Sequence, residues 1–187
     1  MIRMEVARSD ATRRQILELQ RENLAERLSP AEAAEQGFVT VRHDLGLLER
    51  IAGPHGHVVA MDGDRVVGYA LVMLKEFASA VPILVPMFER IERLPIGGRP
   101  YFVMGQVCVA KERRGQGLFR SLYEELRRHM RGAYDIVVTE VAARNTRSLR
   151  AHEKVGFRPV LRYEDGGETW EIVVWNWDRA DLAPVVS

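Results

Sequence analysis

The sequence predicts an α/β protein in which a mixed sheet carries helices on its faces. Three observations lead there. Residues 57–61 and 65–73 read as two strands joined by Asp62-Gly63-Asp64, a tight hairpin signal. From Tyr101 onward, apolar strand patterns alternate with helix patterns, which implies a parallel step. Residues 157–163 and 169–177 then form a closing hairpin around Glu164-Asp165-Gly166-Gly167. Antiparallel pairs on both sides of a β-α-β step exclude a purely parallel, doubly wound sheet.

The elements follow in order. Ile2, Met4 and Val6 alternate as a short opening strand. Asp10 is placed to cap a helix over 11–27, where Ile16, Leu19, Asn23 and Arg27 step by three or four. Ser29-Pro30-Ala31-Glu32 sets a capping Ser before a Pro at the first helical position, and Gly37 ends that helix. Another helical turn or two follows His43-Asp44 and closes at Gly53-Pro54. These helices are expected to cover one face of the sheet. Residues 76–99 form a long connection with a short helix near Met87 to Glu92; connections of this length are often functional. Tyr101 to Val109 is a strong central strand. Helix 116–131 follows, with Leu118, Leu122, Leu126 and Met130 spaced by four. Strand 134–141 and helix 144–155 complete the step, and Gly156 ends that helix.

Composition narrows the function classes. The chain has 187 residues, 47% of them hydrophobic, which suits one globular domain over 1–187. A formal charge of +1 argues against a dedicated nucleic-acid binder. One Cys cannot form an internal disulfide. There is no run of 18 apolar residues and no secretory leader pattern at the start, so a cytoplasmic protein without membrane contact is expected. No metal site is expected.

The sharpest feature is Val107-Cys108-Val109-Ala110-Lys111-Glu112-Arg113-Arg114-Gly115-Gln116-Gly117-Leu118. A buried strand runs into a glycine turn, and the turn opens a long helix. Such a turn points backbone N–H groups inward, and the helix start adds its own N–H groups and positive dipole end. Together they suit a pyrophosphate. Residues 111–131 carry seven Lys or Arg against three Glu, a local balance of +4. G-x-G-x-x-G is absent, and no Gly-Lys-Ser/Thr follows, so neither the dinucleotide fingerprint nor the P-loop applies. The plainer reading is a solvated helix face behind a glycine turn.

Arg114-Gly115-Gln116-Gly117-Leu118-Phe119 resembles motif A of the GNAT N-acetyltransferase superfamily, Arg/Gln-x-x-Gly-x-Gly/Ala, with Phe119 departing at the last position. Asn145, Ser148, Gly156 and Phe157 fall in register with the superfamily's motif B, Asn-x-x-Ala/Ser followed by Tyr-x-x-x-Gly-Phe, and His152 stands where Tyr is usual. The two motifs lie in the expected order, with a helix and a strand between them. The resemblance covers roughly residues 57–177. It implies a strongly twisted mixed sheet flanked by helices, and acetyl-CoA held where strands 101–109 and 134–141 splay apart.

The resemblance also implies roles. The backbone of Val107, Cys108 and Val109 would meet the pantetheine. The N–H groups of Arg114, Gly115, Gln116, Gly117 and Leu118 would meet the pyrophosphate, with a charge from Arg113 or Arg114. Asn145 and Ser148 would touch the cofactor; Asn145 is equally suited to cap helix 146–155. Direct transfer to an amine needs a base and a proton for the departing thiolate. His152 is the candidate acid and Glu140 the candidate base, the latter with an ion pair to Arg144 or Arg147 as the plain alternative. Gln106 could orient the acceptor or a water; Tyr101, Glu168 and Glu171 are weaker candidates. Cys108, in an apolar strand with no adjacent acid or His, reads as a buried structural thiol.

The implied activity is transfer of acetyl from acetyl-CoA to a small amine or a protein amino group. The departures at Phe119 and His152 leave a second reading, a CoA-binding regulatory module without catalysis. The helices of 11–53 and the 76–99 connection should form the acceptor pocket, with Phe38, Met87, Phe88 and Ile91 as apolar walls and Glu22, Glu35 or Glu89 drawing the amine. The three Trp of the last strand suit core packing or a subunit contact, and a homodimer is compatible with the superfamily.

Overall fold

Seven strands form one sheet in the order β1-β2-β3-β4-β5-β7-β6, and a single neighbouring pair, β4 with β5, is parallel. The computed structural model describes residues 1–29, 31 and 38–178. The strands are β1 (Ile2–Ala7), β2 (His57–Asp62), β3 (Arg65–Met73), β4 (Tyr101–Val109), β5 (Ile136–Ala142), β6 (Arg158–Asp165) and β7 (Glu168–Asn176). The helices are α1 (Asp10–Glu22), α2 (Leu45–Ile51), α3 (Val85–Glu92), α4 (Leu118–Met130) and α5 (Thr146–Val155). The mixed, helix-flanked sheet is the one the sequence predicts.

Alternation along β3 sorts the helices onto its two faces. Leu122 of α4 lies against Gly68, while the next residue, Tyr69, reaches through Gln106 to Gln20 of α1. So α1 and α4 sandwich β3. The core between them holds Ile16, Leu19, Leu71, Leu122, Tyr123 and Leu126, all buried. The 76–99 connection is a run of 3-10 turns around α3, which buries Met87, Phe88 and Ile91.

Helix α1 differs from the expectation at both ends. Its N-cap is Ser9, whose hydroxyl accepts from Thr12 N–H at 3.1 Å, and Asp10 is the first helical residue. It stops at Glu22 rather than 27. Asn23 folds its side-chain amide back onto Leu19 O, and Leu24 pairs with Val39 instead of extending the helix. Arg27 therefore sits in a separate, exposed 3-10 turn. The capped helix expected over 30–37 falls almost wholly outside the described residues.

Two buried histidines are locked in their neutral form. The His57 ring donates from Nε2 to Leu48 O at 2.7 Å and accepts Val72 N–H on Nδ1 at 3.1 Å, joining α2 to β3. His152 donates from Nδ1 to Ser148 O at 2.8 Å and accepts from Tyr123 OH on Nε2 at 2.7 Å. Burial lowers both rings from 6.5 to about 4. A depressed folded pKa gives stability that is full above the unfolded value and is lost as pH falls through the folded one. The melting temperature is therefore expected to drop between pH 6.5 and about 4. A melting series across that range in wild type and His57→Gln checks this. The variant should show the shallower acid slope.

Candidate active site

The site begins where two strands part. Parallel pairing of β4 with β5 runs from Tyr101–Ile136 to Val103–Val138 and stops. On its other edge, β4 pairs Met104 with Val72 and Gln106 with Leu71, which leaves Gly105 as an extra residue. A bulge of this kind bends its strand. Beyond it, a cleft of about 450 Å³ opens between Val107, Cys108 and Val109 of β4 and one face of α5. Phe38 and Val39 lie along its rim.

The far end of this cleft is built for an anion. Helices α1, α2 and α5 are capped by the side chains of Ser9, Asp44 and Asn145. Helix α4 starts instead at Gly117, which has no side chain, so its first-turn N–H groups receive no such cap. Gly115 and Gly117 hold φ at +75° and +80°, and a Cβ on either would meet nothing within 4 Å. Both glycines line the cleft and leave it open on that side. The described lining carries Arg113, Arg114, Arg120, Arg147 and Lys154 and no carboxylate. A pyrophosphate fits this donor set.

On the other side of the bulge lies a smaller cavity, of about 30 Å³, lined by Val103, Met104 and Gly105 of β4 and Thr139 and Glu140 of β5. Thr40, Val41, Ile83, Leu84, Met87 and Trp170 complete it. The two hollows thus take successive residues from the same segments: 103–105 then 107–109 on β4, and 40–41 beside 38–39 on the loop.

Glu140 is the ionisable group of this cavity. Burial raises its carboxyl from 4.5 to about 7, partly offset by a hydrogen bond from Tyr163 OH. Arg90 of α3 lies over the Tyr163 ring at 4.0 Å, and Asp165 adds a further upward push. Of the two arginines offered as alternative ion-pair partners, Arg144 and Arg147, the first pairs with Glu168 at 2.6 Å.

The acetyltransferase (GNAT) family model matches residues 14–157. The chain belongs to that family. Solved structures agree on the fold of this acetyltransferase. The ribosomal-protein-S18-alanine N-acetyltransferase of Escherichia coli is 12% identical, with a TM-score of 0.64 over 98% of each chain. The Arabidopsis thaliana NAA60 complex with acetyl-CoA is 14% identical, with a TM-score of 0.65 over 94% of this chain and 99% of that one. The yncA structure from Salmonella typhimurium, with its cofactor acetyl-CoA, is 17% identical, with a TM-score of 0.63 over 97% of each. No curated protein matches the chain. Among the described residues no helix is long and apolar enough to cross a membrane, and no group of three His, Cys, Asp or Glu could hold a metal ion.

The sequence candidates of this acetyltransferase divide clearly. Val107, Cys108, Val109, Arg113, Arg114, Gly115, Gly117, Leu118, Asn145 and Ser148 all line the cleft. Gln116 does not; its amide donates back to Glu112 O. Arg113 is tied to Asp62, and Arg114 bonds Val109 O at 3.1 Å and Asn23 Oδ1 at 2.5 Å, so both brace the turn. Asn145 caps α5 through Ser148 N–H and donates to Phe38 O, which anchors the rim. Burial pushes the Cys108 thiol up to about 12, which removes it as a nucleophile near neutral pH.

Two catalytic candidates line neither hollow. His152 is 2% exposed, does not line the cleft, and has both ring nitrogens engaged. With its pKa lowered to about 4 by burial, the ring is neutral near neutral pH and its one N–H is held by Ser148 O, so His152 packs the core. The departing residue Phe119 lies against it, edge to face, at 5.1 Å. Gln106 stands between 103–105 and 107–109 on β4 and lines neither hollow. Its oxygen accepts from Tyr69 OH and Gln20, and its nitrogen donates to Val41 O at 2.8 Å. These bonds hold loop 38–41 to β4.

Tyr101 donates to Glu92, and Glu171 pairs with Arg162. Of the apolar walls expected for the acceptor, Phe38 lines the cleft and Met87 the small cavity, while Phe88 and Ile91 are buried in the core. Glu22 and Glu89 are exposed and line neither hollow, and Glu35 lies outside the described residues. Trp170, expected to be packing, is a cavity wall. Sequence reasoning missed Arg147, Ala151 and Lys154. Their spacing with Ser148 and Val155, a stripe along one face of a helix, was the available signal.

Proposed function

We propose that this acetyltransferase moves an acetyl group from acetyl-CoA directly to a primary amine, with Glu140 as the base. The observation that supports this is that the two hollows take successive residues of β4 on the two sides of Gln106, and that the smaller is lined by Glu140, a carboxyl raised to about 7. Acetyl-CoA supplies a thioester acyl group. Val107 to Val109 orient it, the 115–118 turn holds its pyrophosphate, and the 76–99 connection closes the acceptor side.

The chemistry balances without a covalent enzyme intermediate. The amine nitrogen forms a bond to the acyl carbon as the carbon–sulfur bond breaks. Glu140 takes the amine proton, and the CoA sulfur leaves with the bonding pair. Water protonates that sulfur, since His152 cannot. A base with a pKa near the working pH serves this proton transfer best. Holding both reactants across one strand supplies the orientation.

Calorimetric titration with acetyl-CoA, followed by thiol release against an amine panel, tests the two halves. Donor binding without amine-dependent thiol release would leave only the regulatory module. A finer test addresses the base. The Tyr163 hydroxyl lowers the Glu140 pKa by donating to it. Tyr163→Phe should therefore move the acid limb of kcat/KM to higher pH, with acetyl-CoA affinity unchanged. An unmoved limb would detach Tyr163 from the base.

A further inference from the structure

The small cavity at Glu140 has a neighbour along the same walls. A second hollow, of about 530 Å³, shares Thr40, Val41 and Ile83 with it. Its other walls include Leu47, Val81 and Pro82. Ile83 is 52% exposed, and among the described residues only Met1 is another large hydrophobic side chain left so open. An isolated exposed apolar residue needs no explanation. One standing on the shared rim of two hollows, beside Val41, Val81 and Pro82, does.

Charge along the two hollows is uneven. The small cavity has one carboxyl, Glu140. The larger hollow has Glu26, and its charge is matched by Arg42 in an ion pair on the same wall. Among the described lining residues, no unmatched acid stands where a second ammonium would lie. A polyamine or an aminoglycoside would bring several positive charges to an apolar wall.

We infer, on the reading proposed above, that the acceptor is a primary amine at the end of an elongated apolar group. Its nitrogen meets Glu140, and its apolar body runs outward over Val41, Val81 and Ile83. The specificity residue is Ile83, placed there by the connection between β3 and β4.

Linear primary alkylamines from propylamine to octylamine test this with the full chain at saturating acetyl-CoA. Thiol release should show kcat/KM rising about three- to fourfold per added methylene until the two hollows are filled, the transfer gain of one buried CH2 group. Spermidine and kanamycin should fall below hexylamine. Ile83→Asp changes a half-exposed side chain, so the fold should persist. It should flatten the series to less than about 1.5-fold per methylene, against the slope a buried apolar contact gives. Calorimetry should show its acetyl-CoA affinity unchanged. A flat wild-type series, or a preference for spermidine or for a peptide amino terminus over hexylamine, would overturn the assignment and leave the transfer reading in place. Acetyl-CoA binding with no thiol release from any amine would remove that reading and this inference together.

Discussion

Glu140→Gln is expected to lower kcat/KM by about 10²–10⁴, the usual range for a lost general base. Acetyl-CoA affinity should stay within about twofold, because the carboxyl lines the small cavity and not the cleft, and the uniform-binding interactions remain. Wild-type activity should rise with pH through about 7 as the carboxyl ionises, and the variant should lack that limb. Thermal stability should move the other way. The folded pKa is raised from 4.5 to about 7, so this group's contribution is full below 4.5 and is lost as pH rises through about 7. Above pH 7 the Gln variant should melt higher than wild type. Steady-state kinetics and melting curves from pH 5 to 9 decide both. A folded variant with unchanged turnover would remove Glu140 from the mechanism.

Gly117→Val should be the most damaging change to donor binding. At φ +80° an L-residue is strained by about 1–2 kcal/mol, and a β-branched one by more. The side chain would also stand in the open cleft, where a Cβ meets nothing within 4 Å of the protein and would meet the ligand instead. Strain and occupancy together predict a loss of acetyl-CoA affinity on the order of 100-fold or more. Calorimetry on the folded variant measures it. Wild-type affinity would show that the pyrophosphate does not lie against this turn.

These two residues also mark what the sequence could reveal. Gly115 and Gly117 were legible because a strand–turn–helix pattern constrains the backbone, and backbone geometry is local. Glu140 stood out as a candidate by its place near the carboxyl end of strand 134–141, and the structure puts it on the wall of the small cavity. His152 was misread because its motif position fixes its place along α5 but not the depth of its side chain. That depth depends on Tyr123 and Phe119, some 30 residues away in sequence. Gln20, Gln106 and Val41 were invisible as a unit for the same reason: their bonds join α1, β4 and a loop. The end of α1 failed because spacing counted Asn23 and Arg27 as further turns. Asn23 ends the helix with a side-chain bond that no periodicity records. Ile83 and Trp170 had no signal, since a wall becomes a wall only when a facing segment stands opposite.

The edge-to-face contact of Phe119 with His152 also bears on descent. The chain departs from the family pattern at two places far apart in sequence, yet in space they are one. A tyrosine at 152 would press into volume that Phe119 and Tyr123 already occupy, and overpacking a filled core is costly. A small residue at 119 would leave a hollow beside the imidazole. Neither position is free to drift back alone. Lineages that keep the bulky ring in the turn should keep the imidazole behind it, and those with tyrosine at 152 should carry a small residue at 119.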